Sequence, residues 1–223
     1  MSYRDTLLYP RYSRRQASSY CDYSLFPRTH SYCAAKEQRV GSYLRTLMSF
    51  ATPLSTLSPF RSSYNATPDA DEVYPGLYVG DIVAAKDKHF LRRTGINYVL
   101  NTAEGRQYTQ VDTDHLYYRD CPGLRYKGFQ LMDLPSTDIS KYFHIAANFI
   151  DEGVSSGGRV LVHCMMGVSR SATCALAFLM IKRGMSLAKA LDTVRSRRNI
   201  CPNEGFIRQL QQLDRELRLN RIR

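Results

Sequence analysis

The first seventy residues show no sustained helical or strand period in their apolar positions, apart from a short patch at 40–50, and little stable structure is expected there. From Asp71 the pattern sharpens. Residues 72–80, EVYPGLYVG, alternate around a Pro-Gly turn and predict a short strand ending at Gly80. Asp81 is placed to cap a helix running to about Thr94, with Ile82, Ala85, Phe90 and Leu91 toward a core and Gly95 closing it. Residues 96–101, INYVLN, predict a buried parallel strand. Two further strands are expected at 116–118 and 124–131, separated by the turn-forming Cys121-Pro122-Gly123.

A helix over about 140–154 gathers Phe143, Ala146, Ala147 and Ile150 on one face, and 155–158, SSGG, return the chain to a strand ending at His163. Residues 173–183 form an apolar helix ended by Gly184. Ser186 caps another through about Arg195, and Pro202 with Asn203 starts the last, from Glu204 to about Leu219. Alternating strands and helices predict an α/β domain over 71–219, with a central, mostly parallel sheet flanked by helices, after a disordered tail over 1–70.

Composition refines this picture. The formal net charge of +11 points to acidic partners, of which nucleic acid, anionic lipid and phosphorylated peptides all fit. The tail holds eight of the 16 tyrosines and nine basic residues against four acidic ones. A docking or regulatory role competes there with a transit peptide and with a basic arm for nucleic acid. No apolar run approaches the roughly 20 residues of a membrane helix. The six cysteines show no CxxC pairing and no His partners at zinc spacing, so they read as thiols of a reducing interior, with no metal or cofactor implied.

The chemistry concentrates in 160–172, VLVHCMMGVSRSA. A strand leads into Cys164, a loop follows, and Arg170 with Ser171 opens a helix. Such a loop turns successive N–H groups of 165–170 toward an anion at the positive end of a helix, a setting that also favours a thiolate. Arg170 offers a planar fork matched to two phosphate oxygens. A phosphoester also needs a proton on its leaving oxygen. Asp133, 31 residues before Cys164, is the candidate acid, and Asp138 is a rival that reads better as a helix cap.

His163-Cys164-Met165-Met166-Gly167-Val168-Ser169-Arg170-Ser171 matches the His-Cys-x-x-Gly-x-x-Arg-Ser/Thr signature of the cysteine-dependent protein tyrosine phosphatase superfamily. The flanking sequence, roughly 71–219, resembles the atypical dual-specificity phosphatases. The resemblance implies that fold, and removal of phosphate from phosphotyrosine and from phosphoserine or phosphothreonine through a thiophosphate on Cys164. It implies that His163 orients the loop, that Ser171 helps break the thiophosphate, and that 103–106, AEGR, shape one wall of the site. Arg198 and Asn203 resemble the family's basic rim and Pro-Asn turn, and Arg198 either meets a second phosphate or belongs to an exposed charge run at a helix end. Met165, Met166 and Val168 add no basic group, which favours phosphoprotein over phosphoinositide or RNA triphosphate. By resemblance the partners are phosphorylated proteins such as mitogen-activated protein kinases, in the cytoplasm or nucleus. The competing readings are a phospho-binding pseudophosphatase and a scaffold whose tail does the work.

Overall fold

The computed structural model describes residues 67–222, so the expectations for the tail lie outside the described residues as far as residue 66. Five strands form one sheet in the order β1-β2-β5-β3-β4: β1 (Ala70–Tyr74), β2 (Leu77–Gly80), β3 (Ile96–Asn101), β4 (Arg125–Gly128) and β5 (Arg159–His163). Only the β1–β2 pair is antiparallel; β5 lies between β2 and β3 and runs parallel to both. The expected strand at 72–80 is therefore a hairpin. Pro75 and Gly76 make its turn, with Gly76 at φ +76°, and the Gly76 N–H donates to Glu72 Oε1 at 2.9 Å.

Both faces of the sheet are covered, which is why β3 and β5 read as continuous apolar runs. Val160 and Val162 face the larger core, with Tyr98 and Leu100 beside them and helices α3 (Phe143–Ser155), α4 (Arg170–Lys182), α5 (Leu187–Arg195) and α6 (Glu204–Ile222) above. Leu161 and Val99 face the opposite way, toward α1 (Ile82–Lys86) and α2 (Lys88–Thr94). The alternation is the two-residue period of a strand, applied to a strand buried on both sides. Helix α4 is buried from Arg170 through Met180, as its apolar sequence requires.

Three local expectations are corrected. The helix over 82–94 is two helices, because Asp87 ends the first and caps the second, accepting the Phe90 N–H at 2.8 Å. Residues 116–118 form turns and no strand. Asp114 Oδ1 takes the Tyr117 N–H, while Tyr117 and Tyr118 donate their hydroxyls to the carbonyls of Lys86 and Ala85. Those aromatic residues anchor a loop on α1, so their burial imitates a strand pattern. Strand β4 covers only 125–128 of the expected 124–131. The helix over 140–154 opens with a 3-10 turn, Ser140–Tyr142, and its face of Phe143, Ala146, Ala147 and Ile150 is buried as expected.

Asn101 ends β3 and ties down the loop beyond it. Its Nδ2 donates to the carbonyls of Val111 and Thr113, each at 3.0 Å, and its Oδ1 accepts from the Ala103 N–H at 2.9 Å, all out of solvent. Asn101→Ala takes a partner from three buried backbone groups; the Val111 and Thr113 carbonyls keep the Gly105 N–H and the Tyr126 hydroxyl, whereas the Ala103 N–H loses the acceptor it had. A loss of about 2–4 kcal/mol in urea unfolding is expected, with the slope against denaturant unchanged.

Candidate active site

The carboxyl ends of β2, β3, β4 and β5 lie on one side of the sheet, and the chain after β5 forms the loop 164–169 there before α4 begins at Arg170. Ligands of open α/β sheets bind at that edge. The loop is gripped from outside through its carbonyls. Met165 O accepts from the Ile82 N–H at 3.2 Å, Gly167 O from Arg198 Nε at 2.8 Å, and Met166 O from Arg198 Nη2 at 3.4 Å. Val168 O accepts from the Cys201 N–H at 2.9 Å, and Ser169 O from the Thr173 N–H at 2.9 Å. In a trans peptide the N–H points away from the carbonyl of the same plane. Four consecutive carbonyls bonded outside the loop, with Ser169 O in the first turn of α4, therefore set the N–H groups of Met166, Gly167, Val168, Ser169 and Arg170 toward the concave side. Gly167 makes the bend possible at φ +66°, where a Cβ would lie 2.6 Å from Gly80 O.

Cys164 is buried at the base of this loop, with its Sγ 3.3 Å from Ser171 Oγ. Burial alone pushes its thiol up. The Arg170 guanidinium and the hydroxyl and N–H of Ser171 pull it down more strongly, and its pKa lies below the ordinary thiol range. Ala103, Val111, Ile82 and Met165 pack around the sulfur, so the AEGR segment does furnish one wall, through Ala103. His163 is fully buried, its Nδ1 3.5 Å from the Cys164 carbonyl. Desolvation, with some help from Arg170, brings its pKa down to about 3, so the ring is neutral. Cys174, behind the loop in α4, is pushed well up by burial and then by Cys164, which suits its core position.

Arg170 is 2% exposed, and Nη1 donates to Leu131 O at 3.0 Å. Its Nε has no hydrogen-bond partner among the described residues, although it is buried; the nearest carboxylate oxygen, Asp133 Oδ2, is at 3.8 Å. A buried guanidinium donor in that state suits an anionic acceptor.

Asp133 sits on the loop after β4, and Oδ1 accepts from Ser169 Oγ at 2.7 Å and from Asn203 Nδ2 at 2.9 Å. Asn203 also caps α6, its Oδ1 accepting from the Phe206 N–H at 3.0 Å. Asp138, by contrast, is exposed and accepts from the hydroxyl and N–H of Ser140, which holds its carboxyl below the usual range; the cap position of the turn that follows is Ile139, not Asp138.

The structure thus brings together Cys164, Arg170, Ser171, Asp133, His163, Asn203 and the loop residues 165–169. Arg198 departs from its expected place on a phosphate-binding rim. Its side chain is 5% exposed and its donors are taken by the loop carbonyls and by Asp69 and Asp71. Those two aspartates escaped the sequence reading. Their signal was an acidic DADE run, 69–72, directly after a basic segment.

Sheet, helices and loop together are those of the protein tyrosine phosphatase-like fold. The chain belongs to the dual specificity phosphatase family: residues 77–216 match the domain described as dual specificity phosphatase, catalytic domain. It is 52% identical over 148 residues to Dual specificity protein phosphatase 13B from Homo sapiens, covering 66% of this chain and 73% of that protein. It is 47% identical over 150 residues to Dual specificity protein phosphatase 26 from Bos taurus, covering 67% and 69%. Among solved structures, a mouse dual specificity phosphatase complexed with zinc tungstate is similar at 31% identity with a TM-score of 0.60, covering 76% of this chain and 98% of that one. The family is one of protein phosphatases, and the described residues contain no helix long and apolar enough to cross a membrane.

Proposed function

We propose that this chain hydrolyses phosphotyrosine and phosphoserine or phosphothreonine in proteins, through a thiophosphate on Cys164. The thiolate attacks phosphorus in line, and the phosphorus–oxygen bond to the substrate breaks. Arg170 and the loop N–H groups hold the three equatorial oxygens, and Asp133 gives its proton to the departing alcohol or phenol. A water then attacks the thiophosphate, with Asp133 as base and Ser171 donating to the leaving sulfur. The loop and Arg170 supply the charge stabilisation, so the chemistry asks for no metal. The observation that supports this reading is the convergence of a thiol lowered by Arg170 with a buried Arg170 Nε that has no hydrogen-bond partner among the described residues.

Phosphoprotein is the substrate class the site favours. Met165, Met166 and Val168 bring no charge to the loop, and Arg198 is engaged by two carboxylates, so a polyphosphorylated ligand finds little extra to bind. Mitogen-activated protein kinases remain a proposal from resemblance.

Initial-rate hydrolysis of para-nitrophenyl phosphate, with reductant and a chelator present, tests the reading. Turnover is expected, and it should be inhibited by peroxide and restored by thiol. Because the thiolate is the nucleophile and its pKa is lowered, activity is retained below the ordinary thiol pKa of ~8.5 and lost as pH falls through the lowered value. A folded protein without turnover would leave a phospho-binding role in its place.

A further inference from the structure

Arg198 follows α5 and has two sets of partners. Toward the loop, Nε donates to Gly167 O at 2.8 Å and Nη2 to Met166 O at 3.4 Å. Away from it, Nη1 meets Asp69 Oδ1 at 2.8 Å and Asp71 Oδ2 at 2.6 Å. We propose that Asp69, Asp71 and Arg198 form a positioning clamp that fixes the curvature of the 164–169 loop and so sets its affinity for a phosphate oxyanion. The proposal rests on reading that loop as the phosphate site.

The clamp closes on the loop's tightest point. At Gly167 the backbone is left-handed, and the place a Cβ would occupy is 2.6 Å from both Arg198 Nη2 and Gly80 O. Gly80 ends β2, and the next residue, Asp81, donates its N–H to Asp69 O at 3.0 Å. Asp69 therefore secures both walls against which the loop is bent, one through its backbone and one through its carboxylate. Binding an anion to a nest of N–H groups depends on their convergence, so an outward relaxation of one or two peptide planes weakens it.

The two carboxylates also decide the sign of the effect. A guanidinium that is 5% exposed is costly unless compensated, and Asp69 and Asp71 compensate it. The clamp supplies hydrogen bonds to the loop while adding no cation beside the phosphate. Removing the carboxylates would, on charge alone, make the site more attractive to anions. A positioning role predicts the reverse.

The test uses the whole chain and two readouts, tungstate binding by calorimetry and steady-state hydrolysis of para-nitrophenyl phosphate. In Asp69→Asn/Asp71→Asn, the tungstate Kd and the KM are expected to rise together, by about tenfold, with kcat falling much less. Asp71→Asn should lie between it and wild type, and carries the test where the double variant does not fold. Arg198→Met should match the double variant, and Arg198→Lys should recover part of the loss. Asp151→Asn, which breaks the pairs with Lys182 and Arg183 on the α3–α4 surface, controls for general destabilisation and should leave both readouts unmoved. Unchanged or tighter tungstate binding in the aspartate variants, with wild type binding normally, overturns the clamp alone. A folded wild type that neither binds tungstate nor turns over substrate overturns the phosphatase reading beneath it.

Discussion

Cys164→Ser is expected to lower turnover of para-nitrophenyl phosphate by on the order of 10⁴-fold or more while leaving phosphate affinity within a few-fold of wild type. The asymmetry follows from what the substitution touches. A hydroxyl at this position cannot be held as an anion by Arg170 and Ser171, as a thiol can, so the nucleophile is lost. The anion cradle is built from other atoms. The carbonyls of Met165 to Ser169 keep their partners, the N–H groups keep their direction, and Arg170 keeps its bond to Leu131 O. Binding is read from competition by inorganic phosphate or from tungstate calorimetry. Substantial turnover in the variant would show that another group attacks phosphorus and would remove the covalent step from the mechanism.

How far the sequence carried this picture depended on how local the cause of each feature was. Strand β5, the loop and the start of α4 lie within fourteen residues, 159–172, and their order alone conveys strand, anion nest and helix start. The apolar run of β5 and the apolar face of α3 were likewise legible, because one element sets each pattern. The misread segments were those whose cause is elsewhere in the chain. Tyr117 and Tyr118 look like strand residues until α1 is placed beneath their hydroxyls. Arg198 looks like a surface charge until Asp69 and Asp71, 129 and 127 residues away, are brought against it. Even the break at Asp87, a local event, was hidden because an aspartate inside an otherwise helical run competes with the helix only when its side chain turns to cap the next one.

The acid is the test that a resemblance alone does not settle, and the geometry sharpens it. On the proposed mechanism Asp133 must approach the leaving oxygen with a proton. Its Oδ1 already accepts from Ser169 Oγ and Asn203 Nδ2, so Oδ2, the oxygen on the side of Arg170 Nε, is the one left to carry that proton. Asp133→Ala is then expected to lower kcat by roughly a hundredfold or more, because the leaving group must depart as an anion. The loss should be largest for serine and threonine esters and large for phosphotyrosine, whose phenol has a pKa of about 10. It should be smallest for para-nitrophenyl phosphate, whose phenolate is the better leaving group. KM should change little, since the anion cradle is intact. A series of aryl phosphates of graded leaving-group acidity, run on wild type and variant, reads this directly as a steeper dependence in the variant. Equal slopes with unchanged kcat would move the role to another carboxyl. Asp138 would then have to surrender its bonds to the Ser140 N–H and hydroxyl to take it up.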